Sequence, residues 1–156
     1  MKNSIYIIPS IILILSSCSK SKDSNQIDSD EYKTKVERIE VLKNEIKAQS
    51  EFNNAEFELF NVNGFSNSRE TVPGTSSLDY KFVVKVDTSD IGKWTKEMMK
   101  LKSTTENINW TEEITEKRKD EWSTKSHPEF YSRENNNVTM IVYRTEGIIF
   151  KRVITE

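Results

Sequence analysis

The sequence has few of the residues from which metal centres and covalent active sites are usually built. Its 156 residues include one cysteine, Cys18, and one histidine, His127. A lone cysteine excludes an internal disulfide, and a lone histidine excludes a cluster of imidazoles that would hold zinc. The chain also has no G-x-S-x-G motif, no glycine-rich phosphate loop and no calcium-loop spacing. We therefore expect neither a cofactor nor a metal ion, and no motif identifies a catalytic residue.

An excess of one charge is also missing. Lys and Arg number 23 and Asp and Glu number 25, which leaves a formal net charge of −2 with both signs interspersed. Because there is no basic block, nucleic acid is not an expected partner. Only 4 glycines and 3 prolines interrupt a chain that is 35% hydrophobic and 31% charged. This composition indicates one polar globular domain.

The one long apolar run lies near the start of the sequence. After a short basic opening, residues 5–15 are almost all apolar. The run is too short to span a bilayer, which takes about 20 residues, but it is typical of the apolar region of a secretory signal. It leads into Leu15-Ser16-Ser17-Cys18, which resembles the lipobox of bacterial lipoproteins.

This resemblance to bacterial lipoproteins implies a processing route and a membrane anchor. The peptide is expected to be cut after Ser17, and the thiol of Cys18 to receive a diacylglycerol. A buried structural cysteine is the alternative, but Cys18 lies between an export signal and a polar segment, where no core would enclose it. Two or more acyl chains anchor a protein stably. Ser19 after the cysteine, rather than an aspartate, favours the outer membrane if the host has two membranes.

The sequence therefore divides into three expected parts. Residues 1–17 are the signal peptide, residues 18–30 a lipidated flexible tether, and residues 31–156 an α+β globular domain. The tether is expected to be flexible because Ile27 is the one apolar residue between Ser19 and Asp30, too few to offset the loss of chain entropy on folding.

A first helix is predicted from about Glu31 to about Ser50. Asp28 and Glu31 have the spacing of a capping box at its start. Apolar residues recur at helical intervals and form one stripe: Tyr32, Val36, Ile39, Leu42 and Ile46. The stripe spans barely two heptads, so a helix that faces the core is favoured over a dimeric coiled coil.

The remaining segments predict an antiparallel sheet and a second main helix. Alternating or continuous apolar residues indicate strands at Ala55–Val62, Tyr80–Val86, Val138–Arg144 and Ile148–Ile154, the last two forming a meander with the segment after Pro128. A helix is expected from about Ser89, with a packing face of Ile91, Trp94, Met98 and Leu101. Phe65–Ser77 is either a long loop or a loose hairpin arm.

The segment Ser103–His127 gives the weakest structural signal and the candidate site residues. Asn109 and Glu112 have capping-box spacing and predict a charged helix through Asp120. Trp110 is expected in the core at the start of that helix. Trp122 has poor apolar surroundings, so we expect it to be partly exposed and to belong, with Trp110, to a partner surface.

Two classes of function remain open from the sequence. The first is a non-catalytic binding or interaction domain that docks an envelope protein or a cell-wall component, with an inhibitor or immunity role as one version. The alternative is a small envelope hydrolase. It would use His127, paired with a serine, or two carboxylates from a charged stretch: Glu112, Glu113, Glu116, Asp120 and Glu121.

Overall fold

One sheet of seven antiparallel strands runs through the part of the chain that the computed structural model describes, residues 25–65, 77–104, 107–133 and 137–155. Its strands are β1 (Gln26–Asp28), β2 (Phe52–Asn61), β3 (Leu78–Val86), β4 (Met99–Leu101), β5 (Glu129–Ser132), β6 (Val138–Tyr143) and β7 (Ile148–Thr155). They lie in the order β1-β2-β3-β7-β6-β5-β4. The predicted meander is confirmed, because β5, β6 and β7 are neighbours in sequence and in the sheet.

The register defines the two faces of the sheet, since side chains alternate along each strand. One row of side chains crosses what we call the second face: Glu56, Val83, Phe150, Ile141, Phe130 and Leu101. The adjacent residues, such as Phe57 and Phe82, point to the opposite, first face. Apolar residues are buried on both faces, so the sheet has two cores.

The first face is covered by two helices, α1 (Lys35–Glu45) and α2 (Ile91–Thr95). Leu42 of α1 and Trp94 of α2 are buried in the core on this face, with Phe57, Phe82 and Met140 of the sheet. The domain thus has helices on an antiparallel sheet, as expected, but the sheet dominates. Of the two main helices predicted, only α1 is longer than one or two turns.

Helix α1 begins four residues later than predicted. Asp28 does cap a turn, but that turn is a 3-10 helix of three residues, Ser29–Glu31, which ends at Tyr32 in an extended conformation. A second capping box follows, in which Thr34 and Glu37 cap each other's backbone N–H groups. The predicted stripe is accordingly wrong at Val36, which is 63% exposed.

The second helix is also shorter than predicted. It starts after a 3-10 helix, Thr88–Asp90, capped by Asp87, and it buries Ile91 and Trp94 as expected. Glu97 then takes a positive φ of 66°, which ends the helical path. Leu101, predicted to face the core on this helix, instead lies exposed on the edge strand β4.

The expected tether is too long at its C-terminal end. Gln26–Asp28 pairs with β2, and Ser29 donates a hydrogen bond from Oγ to Glu56 Oε2 at 2.8 Å. Backbone pairing along a sheet edge, together with partial burial of Ile27 against the first core, orders a segment whose composition predicted flexibility. The folded domain therefore begins no later than β1.

Most of Phe65–Ser77, for which a loop or a hairpin arm was open, lies outside the described residues. No helix in the described part of the chain is both long and apolar enough to cross a membrane.

Candidate functional site

A cleft of about 700 Å³ lies between the second face of the sheet and the segment that covers it. That segment, residues 107–124, is called the wall below. It contains helix α3 (Trp110–Glu113) and a 3-10 helix (Glu116–Trp122). The 3-10 helix is kinked at Arg118, where φ is −131° and ψ is 37°. The cleft is lined by Ile108, Asn109, Thr111, Glu112, Thr115, Lys119, Asp120, Trp122, Ser123, Thr124, Tyr143 and Phe150. Its volume is in the range of small-molecule binding sites.

Aromatic side chains form the apolar side of this cleft. Trp110 and Tyr143 each contact Phe150 edge-on, with ring centroids 6.2 and 6.1 Å apart. Trp110 and Trp122 belong to the core of the second face, with Val83, Ile141 and Ile148. Trp122 is only 5% exposed and Trp110 4%. Trp110 is thus in the core as expected, whereas the expectation of a partly exposed Trp122 on a partner surface is wrong.

The two wall tryptophans share an incomplete hydrogen-bonding arrangement. Nε1 of Trp110 and Nε1 of Trp122 are both buried and neither has a hydrogen-bond partner among the described residues. The third tryptophan, Trp94, instead donates from Nε1 to Ser50 Oγ at 2.8 Å. A buried donor without an acceptor costs about 1–3 kcal/mol, so two in one cluster need an explanation.

The polar rim of the cleft presents acceptors and donors, and the donors belong to Asn109, Ser123, Thr124 and Tyr143. Thr111 and Thr115 use their hydroxyl protons internally, donating to the backbone oxygens of Ile108 and Thr111 at 2.9 and 2.8 Å. Each of these hydroxyl oxygens still has lone pairs, since a hydroxyl that donates once also accepts. The carboxylates of Glu112 and Asp120 add further acceptors, and Lys119 adds one cation.

Side chains, rather than backbone pairing, fix the wall to the sheet. The backbone hydrogen bonds described for residues 107–122 close within that segment, such as Ile114 N–H to Trp110 O at 3.1 Å. Across to β2, Arg118 pairs with Glu56, and Glu121 accepts from Asn54 Nδ2 at 2.7 Å. The wall is therefore held to the sheet by side-chain contacts, among them an ion pair to the buried carboxylate of Glu56.

A carboxylate on the β6–β7 turn fixes the chain that leaves the cleft. Glu146 Oε1 accepts from the backbone N–H groups of Lys125 and Ser126 at 2.8 and 2.9 Å, and its Oε2 accepts from Ser126 Oγ. The Ser126 hydroxyl and the Lys125 N–H hold the pKa of Glu146 down at about 2. These hydrogen bonds to Glu146 fix the position of Lys125 and Ser126, which follow Thr124 at the end of the wall.

Of the residues predicted for a hydrolase, the structure brings only two carboxylates to the cleft. His127 is exposed, does not line the cleft, and makes no hydrogen bond or ion pair with other described residues. Of the five carboxylates, Glu112 and Asp120 line the cleft, whereas Glu121 pairs with Asn54. Within the described ranges, no three His, Cys, Asp or Glu side chains are grouped so as to hold a metal ion. Cys18 lies outside the described residues.

Sequence reasoning missed most of the lining residues. Tyr143 and Phe150 had been assigned only to strands, and the threonines had no recognisable motif. One signal was present: Val138–Tyr143 is almost continuously apolar, which indicates a strand covered on both faces. A second layer over the second face, and hence a space between the two, follows from that signal.

Comparison with models of known protein families, with curated proteins and with solved structures found no match to this chain. The function is therefore inferred from the residues of this chain.

Proposed function

We propose that this chain is a lipoprotein of the bacterial cell envelope whose domain binds a partner molecule without transforming it. The anchor is the lipid on Cys18, and the binding site is the cleft between the wall and the second face. The outer membrane is the proposed location where the host has two membranes. The lipobox residues Leu15–Cys18 support the anchor, and the cleft supports the binding role.

The observation that carries the binding role is that Trp122, which lines the cleft, has a buried Nε1–H without a partner among the described residues. Stable domains satisfy nearly all their buried polar groups, and exceptions concentrate at functional sites. A ligand that brings an acceptor would complete this hydrogen bond on binding. Aromatic side chains below a polar rim are also the usual composition of a binding pocket.

Fatty-acid labelling in a bacterial host tests the anchor. The unaltered chain should incorporate the label and be cut before residue 18, whereas Cys18→Ser should remain unlabelled and uncut. Ser21→Ala, a change three residues further on, is the matched control and should be labelled normally. Label on the Cys18→Ser variant would place the lipid elsewhere and overturn this part of the proposal.

Indole signals in NMR spectra test the cleft, because the chain has 3 tryptophans and each gives one Nε1–H resonance. A panel of small neutral, acidic and basic compounds is added to the full chain in detergent micelles. We expect binders to shift the signal of Trp122 and to leave that of Trp94, on the other face, unchanged. If no compound shifts Trp122 selectively, the cleft is not a binding site.

A hydrolase is a second candidate, because Glu112 and Asp120 line the same cleft. Two carboxylates on opposite sides of a bound substrate are able to act as acid and base or nucleophile. Turnover of a bound compound that is lost in both Glu112→Gln and Asp120→Asn, with binding retained, would favour the hydrolase. Binding without turnover in the unaltered chain favours the binding domain.

A further inference from the structure

We infer that the ligand of the cleft is a neutral polyhydroxylated compound, a saccharide, whose ring, hydroxyl or carbonyl oxygen accepts the hydrogen bond of Trp122. This inference rests on the proposed binding function and names its ligand class. It follows from the pattern of donors and acceptors that the cleft leaves unused.

The rim matches a ligand that carries both donors and acceptors, since hydroxyl and amide donors line it beside two carboxylates. The carboxylates of Glu112 and Asp120 are the charged acceptors among the lining residues. An anionic ligand would face both carboxylates with only Lys119 to balance them. Hydroxyl groups donate to carboxylates without adding charge, so a polyol matches this rim better than a phosphate or a carboxylate does.

The interior requires one acceptor in addition. Trp122 Nε1 offers a donor and no described oxygen accepts from it. A simple ammonium ligand has donors only and would leave this N–H unpaired. Saccharides carry hydroxyl donors and ring, hydroxyl or acetamido oxygens as acceptors within one ring, which is the combination that rim and interior need together.

The wall allows a ligand oxygen to reach this buried N–H. Its backbone hydrogen bonds are local, its 3-10 helix is kinked at Arg118, and side chains connect it to the sheet. Binding would require a small displacement of the residues around Trp122 that exposes Nε1, and no backbone hydrogen bond described there joins these residues to the strands. Tyr143, half-buried next to Phe150, then offers a ring surface beside the sugar.

Titration of the full chain with saccharides tests the inference. The probes are triacetylchitotriose and maltotriose, with acetyl-trialanine amide as a peptide of comparable size. We expect a saturable shift of the Trp122 indole signal with at least one saccharide at concentrations up to about 10 mM, and none at Trp94. Trp122→Phe, which keeps a ring but lacks the N–H, should weaken saccharide binding about tenfold.

Trp94→Phe is the matched control, because it also removes one indole N–H but lies on the first face. This substitution should change saccharide affinity less than twofold, within the scatter of a remote substitution. Equal affinity of the unaltered chain and Trp122→Phe would overturn the role of the indole. A shift of Trp122 with the peptide alone would overturn the saccharide class while the cleft remains a binding site. No shift with any probe also overturns the saccharide, whereas the anchor is judged separately by lipid labelling.

Discussion

Arg118 donates two hydrogen bonds to Glu56, one to each carboxylate oxygen, both at 2.5 Å. The side chain of Glu56 is 1% exposed, and it also accepts from Ser29 Oγ and lies 3.3 Å from Arg38 Nε. The pKa of Arg118 is raised by its hydrogen bonds to Glu56. Glu56 thus connects the first ordered turn, α1 and the wall through one buried carboxylate. Three hydrogen bonds and the nearby guanidinium of Arg38 engage this carboxylate, which indicates a structural role.

Arg118→Met should destabilise the domain by about 3–5 kcal/mol, because it leaves the buried charge of Glu56 with incomplete compensation. The measurement is the free energy of unfolding in urea. Lys119→Met, a neighbouring exposed cation, is the control and should change stability by no more than about 0.5 kcal/mol.

The same pair gives a sharper check in a double variant. Adding Glu56→Gln to Arg118→Met removes the uncompensated charge, so it should recover part of the lost stability. If the double variant is less stable than Arg118→Met alone, the cost does not arise from the buried charge.

The strands were predictable because their apolar patterns are local. The predicted strand Tyr80–Val86 differs from β3 by two residues at one end, and Ile148–Ile154 differs from β7 by one. The start of α1 was not predictable from the sequence, since Asp28–Glu31 and Thr34–Glu37 have the same capping-box spacing. Tertiary contacts decide between them: Ser29 is held by Glu56, and Arg38 donates from Nε to Ala55 O at 3.0 Å.

The candidate site was predictable only in its position along the chain. The segment Ser103–His127 does contain the cleft wall, but the burial of Trp122 depends on Val83, Ile141 and Ile148, which approach it only in the folded sheet. The Arg118–Glu56 pair was missed for a similar reason. Charged residues in a polar sequence are usually exposed, and nothing local shows that Glu56 is buried and paired with a distant arginine.

Phe82→Ala should cost about 3–5 kcal/mol in unfolding free energy, because it removes a buried ring from the first face and leaves a cavity. Phe60→Ala is the matched control on the neighbouring strand. Phe60 is 41% exposed, so its truncation should cost much less. Equal urea midpoints for Phe82→Ala and the unaltered chain would contradict the assignment of Phe82 to the core.

Glu146→Gln should reduce the loss of stability in acid. The ordinary pKa of this carboxyl is 4.5, and hydrogen bonds from Ser126 and Lys125 lower it to about 2 in the folded domain. The charged form therefore stabilises the fold above pH 4.5, and this contribution disappears as the pH falls through about 2. Glu129, which Arg144 holds at a pKa of about 2, titrates in the same range.

The relevant quantity is thus the difference in unfolding free energy between the unaltered chain and Glu146→Gln, measured from pH 6 to pH 2. It should be largest at the upper end and shrink in acid, while Glu129 contributes equally to both proteins. A difference that stays constant over this range would mean that Glu146 does not titrate as described.

Lys151→Met should stabilise the domain at neutral pH. Lys151 lies on the first face of β7 between Phe82 and Met140. Burial lowers its pKa, the positive charge of Arg133 lowers it further, and no described residue pairs with its ammonium group. Because its charged form is disfavoured in the folded state, replacing it by an apolar side chain of similar length should gain about 1–3 kcal/mol.

The pH dependence has the same sign as that of Glu146 but lies at higher pH, because the pKa of each group is lowered in the folded domain. Where the pH exceeds the lowered pKa of Lys151 but not its ordinary value of 10.5, the unfolded chain binds the proton and the folded one does not, so stability rises with pH. The advantage of Lys151→Met should therefore narrow as the pH is raised towards 10. Lys81→Met is the control, because Lys81 pairs with Glu58 at 3.1 Å and its loss should not stabilise. If Lys151→Met is less stable than the unaltered chain at pH 7, the ammonium group of Lys151 stabilises the fold, and this prediction is wrong.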